Sequence, residues 1–319
     1  MGKFFANKVC IYLDQYVISN LIDSNEEIWT ALKRLLIRGI NSGKVIIPYS
    51  FEHLIETSQR SIEKAKAHDK FLFDLSQGIK ISGEPLVTSR IIRNRIRKRR
   101  DSLTTYSETV TLEQMQTDAD YKFYKKLKNE YDDKVEEATR MLNIFRNTDL
   151  GRFDSSQQNE SIQAIINRDA NHLSDRLKSF GSKGFFQRRN VKFSDGEIPF
   201  WADVIIDSLI SRHKITRKEA LRGSELIKNN GLKIIPTVYI RSSIEGLMAV
   251  KQQKETVNDH VDITRLSTSL PFADIVFTDR AKQHDVLLLG LDKEYNTKIY
   301  SGAKDNLNEF REKVTELLE

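Results

Sequence analysis

Apolar residues run unbroken through Val9, Cys10, Ile11, Tyr12 and Leu13, and the run ends at Asp14. A short continuous apolar stretch is how a strand covered on both faces is written. It predicts a central parallel strand with Asp14 at its carboxyl end. Ser24 and Glu27 have the spacing of a capping box ahead of Trp29, Leu32, Leu35 and Leu36, a helical stripe stopped by Gly39 and the Asn41-Ser42-Gly43 turn. Val45, Ile46 and Ile47 predict a second buried strand closed by Pro48. A helix then starts at Ser50, with Phe51, Leu54, Ile55, Ser58 and Ile62 inward and Glu52 and Glu56 sharing a face beside them. Strand, helix, strand, helix in this order opens a parallel sheet with right-handed crossovers.

From Ile81 to Gly231 little reads as strand. Residues 90–100 alternate Ile91, Ile92 and Ile96 with cations, predicting a docked helix with a broad basic face. Tyr121, Tyr124, Leu127, Tyr131, Val135, Ala138, Leu142 and Phe145 recur every three or four positions, as a long amphipathic helix does. Residues 155–180 are more polar and a weaker helix candidate. Residues 181–198 carry the turn formers of a loop. A helix resumes at Phe200, and Thr216 with Glu219 caps another that stops at Gly231.

Strand character returns after that point. Residues 232–238 are apolar and β-branched but contain Pro236, which predicts a short edge strand; a helix over 241–253 follows. Ile263, Leu266 and Leu270 then form one face of a helix carrying Asp259 and Asp262 near its start. It turns at Pro271 into a strand of Ile275, Val276 and Phe277 between Asp274 and Asp279. Residues 286–289 and 297–300 are further strand candidates, and Leu307, Phe310, Val314 and Leu317 mark a closing helix. The expected division is therefore an α/β domain from residues 1–80 and 232–319, interrupted by a helical insertion over 81–231.

Composition narrows the chemistry. The chain of 319 residues has one cysteine, so neither a disulfide framework nor a multi-thiolate zinc site is available. No apolar run is long enough for a membrane span or a signal peptide, so a cytoplasmic protein with no membrane partner is expected. The formal net charge of +6 favours an anionic partner. The six histidines form no HExxH or nucleophile pair, and no phosphate-cradling glycine motif occurs. Arg90, Arg93, Arg97, Lys98, Arg99 and Arg100 are the candidate nucleic-acid contacts, weighed equally against a solvated basic face. Each aspartate at a strand end has a structural alternative as a helix cap or turn former.

In order and placement, Asp14 after the first strand, Glu56 in the helix after the second, Asp262 in a late helix and Asp279 after the next strand resemble the four acids of PIN-domain ribonucleases. The stretch LPFADIVFTD is similar to that family's aspartate-ended strand, and IIPYSFEHLIE to the segment carrying its glutamate. The resemblance covers about half the chain. It implies a three-layer α/β fold with a central parallel sheet flanked by helices, to which the helical insertion is an addition. It also implies Asp14, Glu56, Asp262 and Asp279 as catalytic residues. Asp259 and Asp274 join them as metal-ligand candidates, although the family pattern gives these two no role.

Clustered carboxylates need a compensating charge, and hard oxygen ligands select Mg²⁺ or Mn²⁺. The expectation is a metal-dependent endoribonuclease acting on single-stranded RNA, in RNA processing, as a toxin or in antiphage defence. The helical insertion is a place for a protein partner or a second copy of the chain. Two alternatives stand beside this: a non-catalytic nucleic-acid-binding or scaffold protein on the same fold, and a nuclease that cuts DNA.

Overall fold

A computed structural model of the chain describes residues 3–115, 121–123, 125, 126, 129, 132, 133, 136, 137, 155–193 and 196–319. It divides into two compact units. The first comprises Met1–Ser82, Ser107–Asn129 and Ser269–Glu319; the second comprises Gly83–Tyr106 and Glu130–Thr268.

The first unit is built on four parallel strands, β1 (Val9–Leu13), β2 (Val45–Ile46), β8 (Ile275–Phe277) and β9 (Lys298–Tyr300), in the order β2-β1-β8-β9. Register is set by the apolar runs: Ile11 stands opposite Ile275, Leu13 opposite Phe277, and Phe277 opposite Tyr300. Because side chains alternate across a strand, Ile11, Leu13, Val45, Ile275, Phe277 and Tyr300 share a face. That face packs with Val17 and Ile18 of the helix Gln15–Asp23, with Leu32 and Leu36 of Glu27–Asn41, and with Leu307, Phe310 and Val314 of Lys304–Leu318. Phe310 is fully buried and meets Phe277 edge-on at 5.0 Å between centroids, so truncating it to alanine would cost about 3–5 kcal/mol.

A second sheet joins β3 (Tyr49–Ser50), β4 (Ile79–Ile81) and β5 (Ser107–Thr109). Gly78 is needed before β4: its φ is +77°, and a Cβ there would stand 2.5 Å from the carbonyl oxygen of Val110.

The second unit is helical. The long helix Ser155–Lys183 packs against Pro236–Val250 where Gly246 comes so close that an added Cβ would lie 3.2 Å from the Cα of Ile162. Buried hydroxyls tie the long helix to its neighbours: Ser242 donates to Asp169 at 2.8 Å, and Ser174 meets Ser224 of the helix Arg217–Asn230 at 2.9 Å.

The expected α/β architecture, a parallel sheet flanked by helices plus a helical insertion, is what the structure shows. Several elements differ from expectation. Residues 15–23 form a helix that periodicity missed, and Ser24 ends it; Glu26 occupies the cap position of the next helix. Residues 232–238 are a 3₁₀ turn followed by the helix Pro236–Val250, since proline at the first helical position fits its fixed φ and missing N–H. Residues 286–289 belong to the end of the helix Arg280–Leu288, which buries Val286 and leaves Leu287 and Leu288 exposed.

Residues 181–198 are not a plain loop. The long helix runs to Lys183, and β6 (Asn190–Phe193) pairs antiparallel with β7 (Gly196–Pro199). The basic helix spans Glu84–Ile96 and stops short of Lys98, Arg99 and Arg100. Of the tyrosine-bearing helix, Tyr121 is described, whereas Tyr124, Leu127, Tyr131, Val135, Ala138, Leu142 and Phe145 lie outside the described residues.

The unit boundaries also move. Residues 232–268 belong to the helical unit because Val238, Ile240, Ile244 and Leu247 are buried on the helix Pro236–Val250, which packs on the long helix. Residues 107–129 belong to the α/β unit, where β5 pairs with β4.

Candidate acidic site at the carboxyl edge of the sheet

The chain leaves β1 for β2 on one side and leaves β8 for β9 on the other. The gap between the carboxyl ends of β1 and β8 is therefore the switch point at which parallel sheets of this kind hold ligands. Asp14 and Asp279 stand at these two ends.

Asp14 extends the β1–β8 ladder by one step, its N–H donating to the carbonyl of Phe277 at 3.0 Å. Its side chain is buried and caps the helix Gln15–Asp23, Oδ1 accepting from the N–H of Gln15 at 2.6 Å. Asp279, half-buried, caps the helix Arg280–Leu288. Its Oδ1 accepts from the N–H groups of Ala281 at 2.7 Å and Lys282 at 3.0 Å. Both aspartates are thus helix caps, and the same geometry holds both carboxylates rigidly on one edge.

Tyr16 ties the two together. Its hydroxyl donates to the carbonyl of Thr278, between β8 and Asp279, at 3.1 Å. Burial raises its pKa far above the ordinary phenol range, and the charges of Asp14 and Asp279 add to the effect, so the group stays protonated. Gly302, beyond β9, closes on the same hydroxyl: a Cβ there would lie 3.0 Å from it. Sequence reasoning missed both residues, and nothing in the local pattern marks either.

Glu56 lies on the helix Phe51–Thr57, half-buried, one turn beyond His53. His53 is fully buried. Its Nδ1 accepts from the N–H of Ser50 at 3.0 Å, so Nε2 carries the proton and donates to the carbonyl of Leu13 at 2.9 Å. The imidazole therefore pins the Glu56 helix to the residue immediately before Asp14.

Of the remaining acids, Asp274 belongs to the same unit, and Asp259 and Asp262 belong to the helical unit. Asp274 precedes β8 and so lies at the amino edge, the opposite end of the sheet. It accepts from the N–H groups of Lys3 at 2.9 Å and Cys10 at 2.8 Å. The Lys3 ammonium in turn donates to the carbonyls of Leu270 and Ala273. Asp259 and Asp262 lie in the portion of the helix Val257–Phe272 that belongs to the helical unit. Asp259 caps that helix reciprocally with Thr256, and Asp262 accepts from Arg265 at 3.4 Å. Among the described residues no group of three or more His, Cys, Asp or Glu side chains is arranged to hold a metal ion.

The expected basic face is largely engaged within the helical unit. Arg95 pairs with Asp101 at 2.5 Å and Arg97 with Glu219 at 2.7 Å, while Arg90 donates to the carbonyl of Thr105. Arg93 donates to Asn94 at 3.0 Å. Lys98, Arg99 and Arg100 are exposed past the helix end. No described helix is long and apolar enough to cross a membrane.

No protein-family model matches the chain, and neither a curated protein nor a solved structure shows significant similarity to it.

Proposed function

We propose that the α/β unit is a metal-dependent nuclease acting on RNA, with Asp14 and Asp279 as its principal metal-binding pair. The observation that carries this reading is the placement of two carboxylates on adjacent parallel strands at the switch point, with both carboxylates fixed by helix caps. Glu56, held next to Asp14's strand by His53, is the third acid of the site. The donor set fits Mg²⁺ or Mn²⁺: Mg²⁺ is commonly held by one or two carboxylates plus waters and substrate phosphate rather than by an all-protein cage. Such an ion, when bound, supplies charge neutralisation at a phosphate oxygen and a more acidic water. Asp14 and Asp279 supply its negative charge, and Oδ1 of each is already oriented by backbone donors. The Tyr16 hydroxyl, bonded to the carbonyl just before Asp279, keeps its proton. Asp274 has no part in this site. The order of the acids, which resembles that of PIN-domain ribonucleases, supports the same reading.

Incubation of single-stranded RNA with the full chain and Mn²⁺ should give cleavage that EDTA stops and that Asp279→Asn lacks. Binding of RNA without cleavage under any divalent ion would favour the scaffold reading, and cutting of DNA alone would move the substrate.

A further inference from the structure

The helical unit carries an excess of positive charge gathered around one histidine. The helix Glu84–Ile96 and its capping residue place Arg90, Arg93 and Arg97 at intervals of three and four, on one face. The helix Trp201–Ser211 ends against that face at Arg212 and His213. Arg93 Nη1 lies 3.5 Å from Nδ1 of His213, and Arg97 Nη2 donates to the carbonyl of His213 at 3.3 Å. With Nδ1 facing a guanidinium, the ring proton is on Nε2, which lies 3.2 Å from Ser89 Oγ. Ser89 also meets Ser208 at 2.9 Å and donates to the carbonyl of Leu86.

The imidazole is therefore neutral, and burial, followed by the charges of Arg93, Arg90, Arg97 and Arg212, holds its pKa down at about 4. Among the described residues the nearby carboxylates that form ion pairs are already engaged. Glu219 is taken by Arg97, and Asp101 by Arg95. Among the described residues Arg93 bonds only to neutral groups, Asn94 and His213, and its Nε is buried with no hydrogen-bond partner. Like-charged guanidiniums held together beside neutral donors, with one donor unused, form an environment that an anion completes.

We propose that Arg90, Arg93 and Arg212, with His213 between them, form a phosphate-binding site in the helical unit. The ligand is a phosphate group, of either an RNA backbone or a free phosphorylated small molecule. This site draws on Arg212 and His213, which lie outside the basic run read from the sequence, and it stands whether or not the α/β unit cuts RNA.

The test uses the full chain in EDTA, so that no metal-dependent cleavage enters, with NaCl holding ionic strength constant. Inorganic pyrophosphate is added while the His213 imidazole is followed by NMR, with His213→Gln identifying its resonance. A bound phosphate beside the ring favours the imidazolium, so the titration midpoint of His213 should rise by at least one pH unit at saturation. Arg93→Gln with Arg212→Gln should bind pyrophosphate at least tenfold more weakly. An unphosphorylated single-stranded RNA supplies the second arm. Displacement of pyrophosphate and the same shift by that RNA identify the backbone as the source; a shift with pyrophosphate alone identifies a free phosphate compound. If neither probe moves the His213 midpoint in the wild-type chain, the proposal is wrong, whatever the variants do.

Discussion

Replacing Asp14 with asparagine separates its structural work from its charge. Asparagine caps a helix about as well as aspartate, so the bond to the Gln15 N–H survives and the cap contributes little to any change in stability. The charge is lost from a pair at the ends of adjacent strands: Asp14 stands opposite Thr278, one residue before Asp279, so strand spacing and rise put the two backbones about 6 Å apart. At that separation the repulsion is about 1–3 kcal/mol for effective dielectric constants between bulk water and a protein surface. Without metal, Asp14→Asn should therefore unfold at a slightly higher temperature than wild type.

With Mn²⁺ the order reverses. At a hundred times its dissociation constant a ligand that binds only the folded form stabilises by about 2.7 kcal/mol. For a chain of this size that is a rise of roughly 3–5 °C in the wild type. The asparagine variant, with half the principal charge, should show little of it. Differential scanning fluorimetry with and without Mn²⁺, beside RNA cleavage on the same samples, reads both effects. Asp175→Asn, exposed on the helical unit, is the control and should track the wild type in each. Equal Mn²⁺ shifts and equal cleavage for wild type and Asp14→Asn would refute the metal assignment.

Two further predictions concern stability. Asp274→Ala removes the acceptor for two backbone N–H groups and the charge facing Lys3, whose pKa burial has lowered to about 8. Urea unfolding should register a loss of about 2–4 kcal/mol, with RNA cleavage per folded molecule unchanged because the residue sits at the opposite edge. Asp69, buried and bonded to Thr57 and Tyr121, has its pKa raised to about 6, chiefly by burial. A raised carboxyl pKa contributes stability that is full below about 3.8 and lost as pH rises through 6, on the order of 3 kcal/mol. Urea midpoints at pH 4 and pH 7 should therefore fall more in wild type than in Asp69→Asn, and equal falls would return the carboxyl to an ordinary environment.

Strands β1, β8 and β9 were legible because continuous apolar runs encode burial on both faces without help from distant residues. The run over 286–289 looks the same but folds as helix. Asp279 caps that helix about two turns earlier, and only Val286 of the four is deeply buried. The hairpin at 190–199 was missed because its exposed strands carry little apolar alternation.

At the site, Asp14 and Asp279 could be read since each terminates a strand. Asp274 misled because an acid before a parallel strand and one after it look alike in sequence and lie at opposite edges in space. Tyr16 and Gly302 were invisible, for their meeting depends on the pairing of β1 with β8 and of β8 with β9, and on nothing nearby in the chain.

The pairing of β1 with β8 joins Ile11 to Ile275 across nearly the whole chain. During synthesis at about 5–20 residues per second, roughly 13–50 s pass between the two strands. Through that interval the β8-facing edge of β1 has no native partner, and Asp14 lacks the Phe277 carbonyl to which its N–H belongs. The acidic edge therefore cannot assemble before β8 has been made, so under the proposed nuclease reading a shorter ribosome-bound fragment has no competent site with which to attack the messenger that encodes it.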